Sequence, residues 1–218
     1  MRSVSVCMVT YQGAEYVAEQ IESILPQLCG GDELVVSEDG STDGTREIVA
    51  QYARGGAPLR LIDGPRQGLV ANFQNVVSNA SGEVLFLADQ DDVWLPGKVE
   101  RMLAEFDDPA CLVAVHDAAL VDAEGKPLGQ TAFALRHNLS FREQFERNRQ
   151  VGIFLAQHGK EFAGISEVSS GAALVKSVAV QRVREKNIAE VARFGVDCVA
   201  RFAGNRQGRK DGIALAAK

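Results

Sequence analysis

Short apolar segments alternate with segments of helical periodicity along the first half of the chain. Residues 3–10 are almost continuously apolar and rich in β-branched side chains, which is typical of a strand covered on both faces. Apolar positions at helical spacing follow from residue 14 to residue 28, where Pro26 is expected to end or kink the helix. Further strands are predicted at 33–37, 59–62, 83–88 and 111–115, and further helices at 46–53, 69–78 and 98–106. This alternation predicts an α/β fold with a mostly parallel central sheet.

The pattern weakens after about residue 150. Proline, tyrosine and tryptophan are missing from residues 151–218, and alanine, valine, arginine and glycine dominate. Helical spacing predicts helices at 173–184 and 188–202. We therefore expect one ligand-binding domain at residues 1–150 and an atypical segment at 151–218, truncated or diverged.

Charge is divided along the chain in the same way. Residues 1–150 carry 12 basic and 23 acidic side chains, whereas residues 151–218 carry 11 basic and 6 acidic side chains. The acidic first part argues against a nucleic-acid partner, because attraction to phosphate requires lysine and arginine. A phosphorylated ligand would need a bound cation here.

Location is predicted from what the sequence lacks. No segment approaches the roughly 20 apolar residues that span a bilayer, and the first residues do not follow the secretory signal pattern. These features predict a cytoplasmic protein. The basic segment after residue 150 leaves peripheral contact with the inner face of the membrane as an alternative to a solvated surface.

Two acidic loops follow predicted strands. Asp39 and Asp89 each come within three residues of a strand end, and the carboxyl ends of parallel strands meet at one edge of a sheet. Asp89 and Asp91 are one residue apart, so both carboxylates can face the same point. Magnesium and manganese prefer oxygen ligands, and magnesium is commonly held by one or two carboxylates together with substrate phosphates. This edge is the candidate site.

Other interpretations of the acidic loops are less consistent with the residues. An isolated pair of this kind is usually a solvated turn, but residues 89–92 hold three acids beside the sole tryptophan, Trp94, with no adjacent basic residue to offset their repulsion. The loop from Asp39 begins like a calcium-binding loop, yet its twelfth position is Ala50 rather than a carboxylate.

Motifs of several other enzyme classes are missing. The sequence has no GxGxxG after a strand and no GxxxxGK[ST], so it lacks the phosphate cradles of dinucleotide and P-loop enzymes. The four cysteines form no CxxC pair, and the three histidines lie apart from any nucleophile.

Four motifs occur in a fixed order along the first 96 residues. They are the strand 4–10 with Tyr11-Gln12-Gly13, the loop 38–45, the stretch 68–72 and the run 89–96. Together they resemble glycosyltransferase family 2, most closely its bacterial rhamnosyltransferase-like branch. The likeness covers about residues 3–125, with a weaker continuation to Phe141.

This resemblance implies a GT-A type fold, a Rossmann-like α/β/α sandwich. It also implies an enzyme that transfers a sugar with inversion from a nucleotide-diphosphate sugar such as dTDP-rhamnose or a UDP-sugar. The expected cofactor is Mg²⁺ or Mn²⁺, and the expected acceptor is a cell-surface polysaccharide or a lipid-linked precursor.

The resemblance also assigns roles to individual residues. It implies that Thr10 and Tyr11 line the pocket for the base and that Asp39 hydrogen-bonds the base or the ribose. Asp89 and Asp91 match the DxD of the family and would hold the metal against the diphosphate.

Arg66 is a further candidate, placed where a basic side chain could reach the phosphates.

On the acceptor side the sequence departs from the family, because no acidic motif followed by tryptophan occurs after Trp94. The general base is therefore unassigned. A catalytically inactive sugar-nucleotide-binding protein and a simple acidic cation-binding module are the two alternatives, and turnover and nucleotide dependence would distinguish them.

Overall fold

The computed structural model describes residues 2–107, 113–122 and 125–131, together with the backbone of residues 172–182 and 198–201. Its strands are β1 (Val4–Thr10), β2 (Glu33–Glu38), β3 (Leu59–Asp63), β4 (Val84–Ala88), β5 (Asp92–Trp94), β6 (Val113–Val121), β7 (Pro127–Thr131), β8 (Ala172–Arg182) and β9 (Cys198–Arg201). Its α-helices are α1 (Val17–Ile24), α2 (Thr45–Arg54), α3 (Leu69–Asn79) and α4 (Lys98–Ala104), and 3₁₀ turns follow α1 and α4 at Leu25–Gln27 and Glu105–Asp107. None of the helices in this part of the chain has the length and apolar character needed to cross a bilayer.

The strands of the described residues form one sheet in the order β3-β2-β1-β4-β9-β6-β8-β5, with β7 paired to β6. The first four strands in this order are parallel, and in them Thr10 is in register with Glu38 and Met8 with Ala88. Strand β9 is antiparallel to both β4 and β6, whereas β6 and β8 are parallel. The predicted α/β fold with a parallel central sheet is confirmed, and the later strands extend it as a mixed sheet.

The parallel part of the sheet is buried from both sides. All seven residues of β1 and all five of β4 are buried, as expected for central strands covered by helices. Trp94 extends this core, because its ring lies 5.6 Å from the ring of Phe86, centroid to centroid, and 4.0 Å from the Nζ of the buried Lys98. The rigid core fixes the strand ends, from which the polar loops emerge.

Helix α1 ends shortly before Pro26. The α-helical part stops at Ile24, and Pro26 lies in the first turn of the 3₁₀ segment that follows. A proline ring has no N–H to donate, so it is tolerated in a first turn but not inside an α-helix. The expectation that Pro26 interrupts the helix is confirmed.

The helices predicted at 173–184 and 188–202 are wrong where the structure describes these residues. Ala172–Arg182 forms β8, which pairs along β6, and Cys198–Arg201 forms β9 between β4 and β6. Pairing with strands that are distant in sequence overrides the local helix propensity of alanine and arginine. Residues 183–197 lie outside the described residues, and the division of the chain at residue 150 stays a prediction.

A short strand also occurs where the sequence indicated only a loop. Asp92 begins β5, is buried, and is in register with Gln181 of β8. Its partner strand β8 lies far along the chain, so no local sequence pattern predicted β5. As a result Asp92 belongs to the sheet, although the sequence groups it with Asp89 and Asp91.

Candidate functional site

An open cleft of about 770 Å³ lies at the carboxyl ends of the parallel strands. It is lined by Val9, Thr10, Tyr11, Asp39, Gly40, Arg66, Gly68, Leu69, Asn72, Asp89, Gln90 and Asp91. All six residues predicted to bind nucleotide, phosphate or metal are among them. The two acidic loops share this edge because β2 ends at Glu38 and β4 ends at Ala88, beside the end of β1.

The loop after β1 is held to the loop after β4 by one side chain. The carboxamide of Gln90 accepts a hydrogen bond from the backbone N–H of Tyr11 at 2.9 Å and donates one to the carbonyl of Tyr11, also at 2.9 Å. A Cβ at position 13 would lie only 2.2 Å from Gln90 Oε1. Glycine is therefore required at position 13 for the carboxamide to lie in this position.

The backbone of Asp89 is fixed from beneath by helix α1. Buried Gln20 donates a hydrogen bond from Nε2 to the carbonyl of Asp89 at 2.9 Å, and its Oε1 accepts one from Ser23 at 3.2 Å. Sequence reasoning missed both Gln20 and Gln90. A signal was present for Gln20, because it occupies a buried position of α1 otherwise filled by apolar residues such as Val17 and Ile21.

Asp39 is fixed by backbone contacts on two sides. Its N–H donates to the carbonyl of Thr10 at 3.0 Å, and its Oδ1 accepts from the N–H of Arg66 at 2.6 Å. Arg66 has a positive φ of 57°, which directs its N–H toward the carboxylate. A Cβ at Gly64 would lie 2.7 Å from both Cα and Oδ1 of Asp39, so glycine is needed for this close approach.

Buried Glu38 stabilises the start of the acidic loop. Its Oε1 accepts from the N–H of Ser41 at 2.6 Å, and its Oε2 lies 3.5 Å from Arg46. Arg46 also pairs with Asp63 at 2.7 Å, and this hydrogen bond raises the pKa of the guanidinium. Glu38 therefore stabilises the loop on which Asp39 is carried.

Asp43 and Thr45, at the end of the acidic loop, contact the loop after β1. Asp43 accepts a hydrogen bond from Thr45 Oγ1 at 2.5 Å and one from the N–H of Ala14 at 3.0 Å, and these two contacts lower its pKa. Thr45 Oγ1 accepts from the N–H of Gly13 at 2.8 Å. The two loops therefore form one hydrogen-bonded unit.

The first turn of α3 borders the cleft and is anchored to β2. Asn72 accepts a hydrogen bond from Ser37 Oγ at 2.5 Å and donates one to the Ser37 carbonyl at 3.0 Å. Asn75 donates to the same hydroxyl at 2.8 Å. Because Ser37 and Asn72 are buried, these contacts keep the helix start in place beside Asp39.

The donor groups in the cleft fit a hard divalent cation only together with a ligand. Asp89 and Asp91 supply carboxylate oxygens, and the described residues contain no group of three or more histidine, cysteine, aspartate or glutamate side chains that could hold a metal. Two carboxylates with substrate phosphates and water form a usual magnesium or manganese shell. The cleft therefore suits a phosphorylated ligand that brings further oxygen ligands.

Thr10 offers an independent sign of a ligand. Its Oγ1 is buried at the end of β1 and has no hydrogen-bond partner among the described residues. A buried hydroxyl without a partner costs about 1–3 kcal/mol. A polar ligand in the cleft would remove this cost by bonding the hydroxyl.

Comparison with known proteins identifies the family. The sequence profile of the family described as Glycosyl transferase family 2 matches residues 5–166, which is most of the chain. The chain belongs to glycosyltransferase family 2. It is 31% identical over 131 residues to an uncharacterized glycosyltransferase of Nostoc sp., across 59% of this chain and 40% of that protein. It is 28% identical over 162 residues to a putative teichuronic acid biosynthesis glycosyltransferase of Bacillus subtilis, across 74% of this chain and 64% of that protein.

This member of the family spans 40% and 64% of the length of these two relatives. Its fold is similar to that of glucosyl-3-phosphoglycerate synthase from Mycobacterium tuberculosis, whose crystal structure contains Mn²⁺, UDP and glucosyl-3-phosphoglycerate. The TM-score is 0.57 at 16% identity, over 88% of this chain and 76% of that one. The predicted GT-A type fold is confirmed, whereas the rhamnosyltransferase-like branch stays a prediction.

Proposed function

We propose that this chain transfers a sugar from a nucleotide-diphosphate sugar bound in the cleft. The observation that carries the proposal is the meeting of Asp39, Asp89 and Asp91 with the unpartnered hydroxyl of Thr10 at one edge of the sheet, in a chain of family 2. The acidic groups suit a metal-bound diphosphate, and the hydroxyl suits a polar base or sugar.

The nucleoside would bind between the loops after β1 and β2. Tyr11 has 58% of its surface exposed beside the cleft, so its ring can pack on a flat base, while its backbone is held by Gln90. Asp39 uses Oδ1 for the N–H of Arg66 and retains Oδ2 as an acceptor for a base N–H or a ribose hydroxyl. Thr10 Oγ1 supplies one further polar contact.

The diphosphate would bind on the Asp89 side of the cleft. Asp89 and Asp91 would hold Mg²⁺ or Mn²⁺ there, and the bound cation would supply Lewis-acid stabilisation of the charge on the leaving nucleoside diphosphate. Gln20 keeps the backbone of Asp89 in place for this role. Arg66, whose side chain packs over Gly40 on the same cleft wall, contacts the phosphates. The similar synthase was solved with Mn²⁺ and UDP, which supports a divalent metal and a nucleoside diphosphate as the ligands of this cleft.

The acceptor is proposed to be a cell-surface polysaccharide or a lipid-linked precursor, and the transfer is proposed to invert the anomeric carbon. The likeness to a putative teichuronic acid biosynthesis enzyme supports an acceptor of this class. A cytoplasmic location, at the inner face of the membrane for a lipid-linked acceptor, follows from the same proposal. An inverting transfer requires a general base, which the described residues do not assign.

Calorimetric titration of UDP and dTDP, with and without Mn²⁺, tests the donor site. We expect Mn²⁺-dependent binding by the unaltered chain and at least a tenfold loss, about 1.4 kcal/mol, in Asp91→Ala. Glu47→Ala is the matched control, because it removes one exposed carboxylate on α2, away from the cleft. Absence of nucleotide binding by the folded chain would contradict the proposal.

Turnover separates the enzyme from an inactive binding protein. We expect the chain to release nucleoside diphosphate from a donor sugar in the presence of Mn²⁺ and an acceptor extract. Metal-dependent binding of UDP or dTDP without any such release would assign the chain to the inactive class. Metal binding that is independent of nucleotide would leave only a cation-binding module.

A further inference from the structure

We propose that Gln90 is a positioning residue that couples nucleotide binding at Tyr11 to metal binding at Asp89 and Asp91. This inference rests on the proposed function. Gln90 lies between the two carboxylates in sequence, yet its own side chain bonds the loop after β1. One residue therefore joins the two halves of the donor site.

The contact between Gln90 and Tyr11 extends the pairing of β1 and β4 with a side chain in place of backbone. Strands β1 and β4 pair in parallel up to Met8 and Ala88, where β4 ends. Beyond that point, Oε1 and Nε2 of Gln90 take the places of a backbone carbonyl and a backbone N–H opposite Tyr11, at 2.9 Å each. A carboxamide offers both an acceptor and a donor, as a peptide group does.

The carboxamide fits in this position because residue 13 is glycine. Added at position 13, a Cβ would lie 2.2 Å from Oε1, 2.4 Å from Cδ and 2.9 Å from Nε2 of Gln90. Gly13 cannot retreat easily, because its N–H donates to Thr45 Oγ1 and its carbonyl accepts from the N–H groups of Tyr16 and Val17. The carboxamide of Gln90 therefore packs directly against the backbone of Gly13 while it bonds Tyr11.

A second contact anchors the metal side of this coupling. Gln20 fixes the carbonyl of Asp89 from helix α1, so the residue before Gln90 is anchored in the core. A nucleotide that orders Tyr11 then also orders the loop of Asp89 and Asp91, and a cation bound there orders Tyr11. Coupling between two sites is reciprocal and typically amounts to 5–150-fold in affinity.

The coupling factor is the ratio of UDP affinity with saturating Mn²⁺ to UDP affinity without metal, measured by calorimetry. Gln90→Met keeps the length of the side chain and removes both hydrogen bonds. Gln90→Glu keeps the acceptor and removes the donor. We expect both variants to lower the coupling factor by about tenfold, with a smaller loss in metal-free affinity. Gln51→Met, at an exposed position of α2, is the control and should leave the factor unchanged.

The outcomes separate this inference from the proposed function. If the unaltered chain shows no Mn²⁺-dependent nucleotide binding, the proposed function fails. If it does bind and both Gln90 variants keep the full coupling factor, only the role of Gln90 is overturned. Equal losses of UDP affinity with and without metal would show that Gln90 is purely structural and would overturn its coupling role as well. Failure of both Gln90 variants to fold, while Gln51→Met folds, would have the same meaning.

Discussion

Asp39 accepts a hydrogen bond from the backbone N–H of Arg66 at 2.6 Å through Oδ1, while Oδ2 has no hydrogen-bond donor among the described residues. One oxygen thus holds the loop and the other is available to a ligand. We predict that Asp39→Asn retains its melting temperature, because the amide oxygen still accepts from Arg66. UDP affinity should fall by about tenfold, because a charged acceptor is lost. Calorimetry and thermal unfolding measure the two effects.

The control for this prediction is Glu47→Gln, which makes the same chemical change at an exposed position of α2. It should alter neither quantity. A large fall in the melting temperature of Asp39→Asn, with unchanged UDP affinity, would contradict the ligand role of Asp39 and leave it a purely structural one.

Glu33 links the start of β2 to its neighbours and should govern acid stability. It accepts hydrogen bonds from Ser5 at 2.7 Å, from the N–H and hydroxyl of Ser81 at 2.7 and 2.5 Å, and from Arg60 at 3.1 Å. Burial alone raises the pKa of Glu33, but these bonds together lower it below its ordinary value of 4.5. Since the folded pKa is the lower one, the ionised carboxylate stabilises the fold above pH 4.5, and this contribution is lost as pH falls through the folded pKa.

We therefore predict that Glu33→Gln lowers the free energy of unfolding by about 1–3 kcal/mol at pH 7. The difference from the unaltered chain should shrink as the pH falls below 4.5. Urea unfolding at a series of pH values measures this, with Glu47→Gln as the exposed control. A difference that stayed constant down to pH 3 would show that the charge of Glu33 contributes nothing.

Gly82 precedes β4 and lies against the backbone of β1. A Cβ at this position would lie 2.4 Å from the backbone N of Ser5 and 2.5 Å from the carbonyl carbon of Val4. Backbone atoms of a buried strand cannot move aside, so Gly82→Ala should lower the free energy of unfolding by about 1–3 kcal/mol, as overpacking does.

Gly30→Ala is the matched control for Gly82→Ala. A Cβ at Gly30 would meet nothing within 4 Å, and this glycine does not have a positive φ. We expect its free energy of unfolding to change by no more than about 0.5 kcal/mol. Similar effects of the two substitutions in urea unfolding would show that the contact with β1 does not determine the need for glycine.

The first half of the fold was predictable because its signals are local. The apolar runs of β1 and β4 and the helical spacing of α3 lie within single elements, and the structure places these elements within one or two residues of the predicted bounds. The cleft followed from the same signals, because Asp39 and Asp89 directly follow strand ends. The roles assigned to the lining residues stay predictions that the titrations above test.

By itself the sequence determined that the first half forms a parallel sheet and that the acidic loops meet at one of its edges, since hydrophobic periodicity and the alternation of strands with helices are properties of neighbouring residues. Only the tertiary structure decided that Ala172–Arg182 and Cys198–Arg201 are strands, that Asp92 pairs in the sheet rather than lining the cleft, and that Gln90 bonds Tyr11. Each of these depends on hydrogen-bond partners that are distant in the chain. Such partners override local propensity, and no local pattern encodes them.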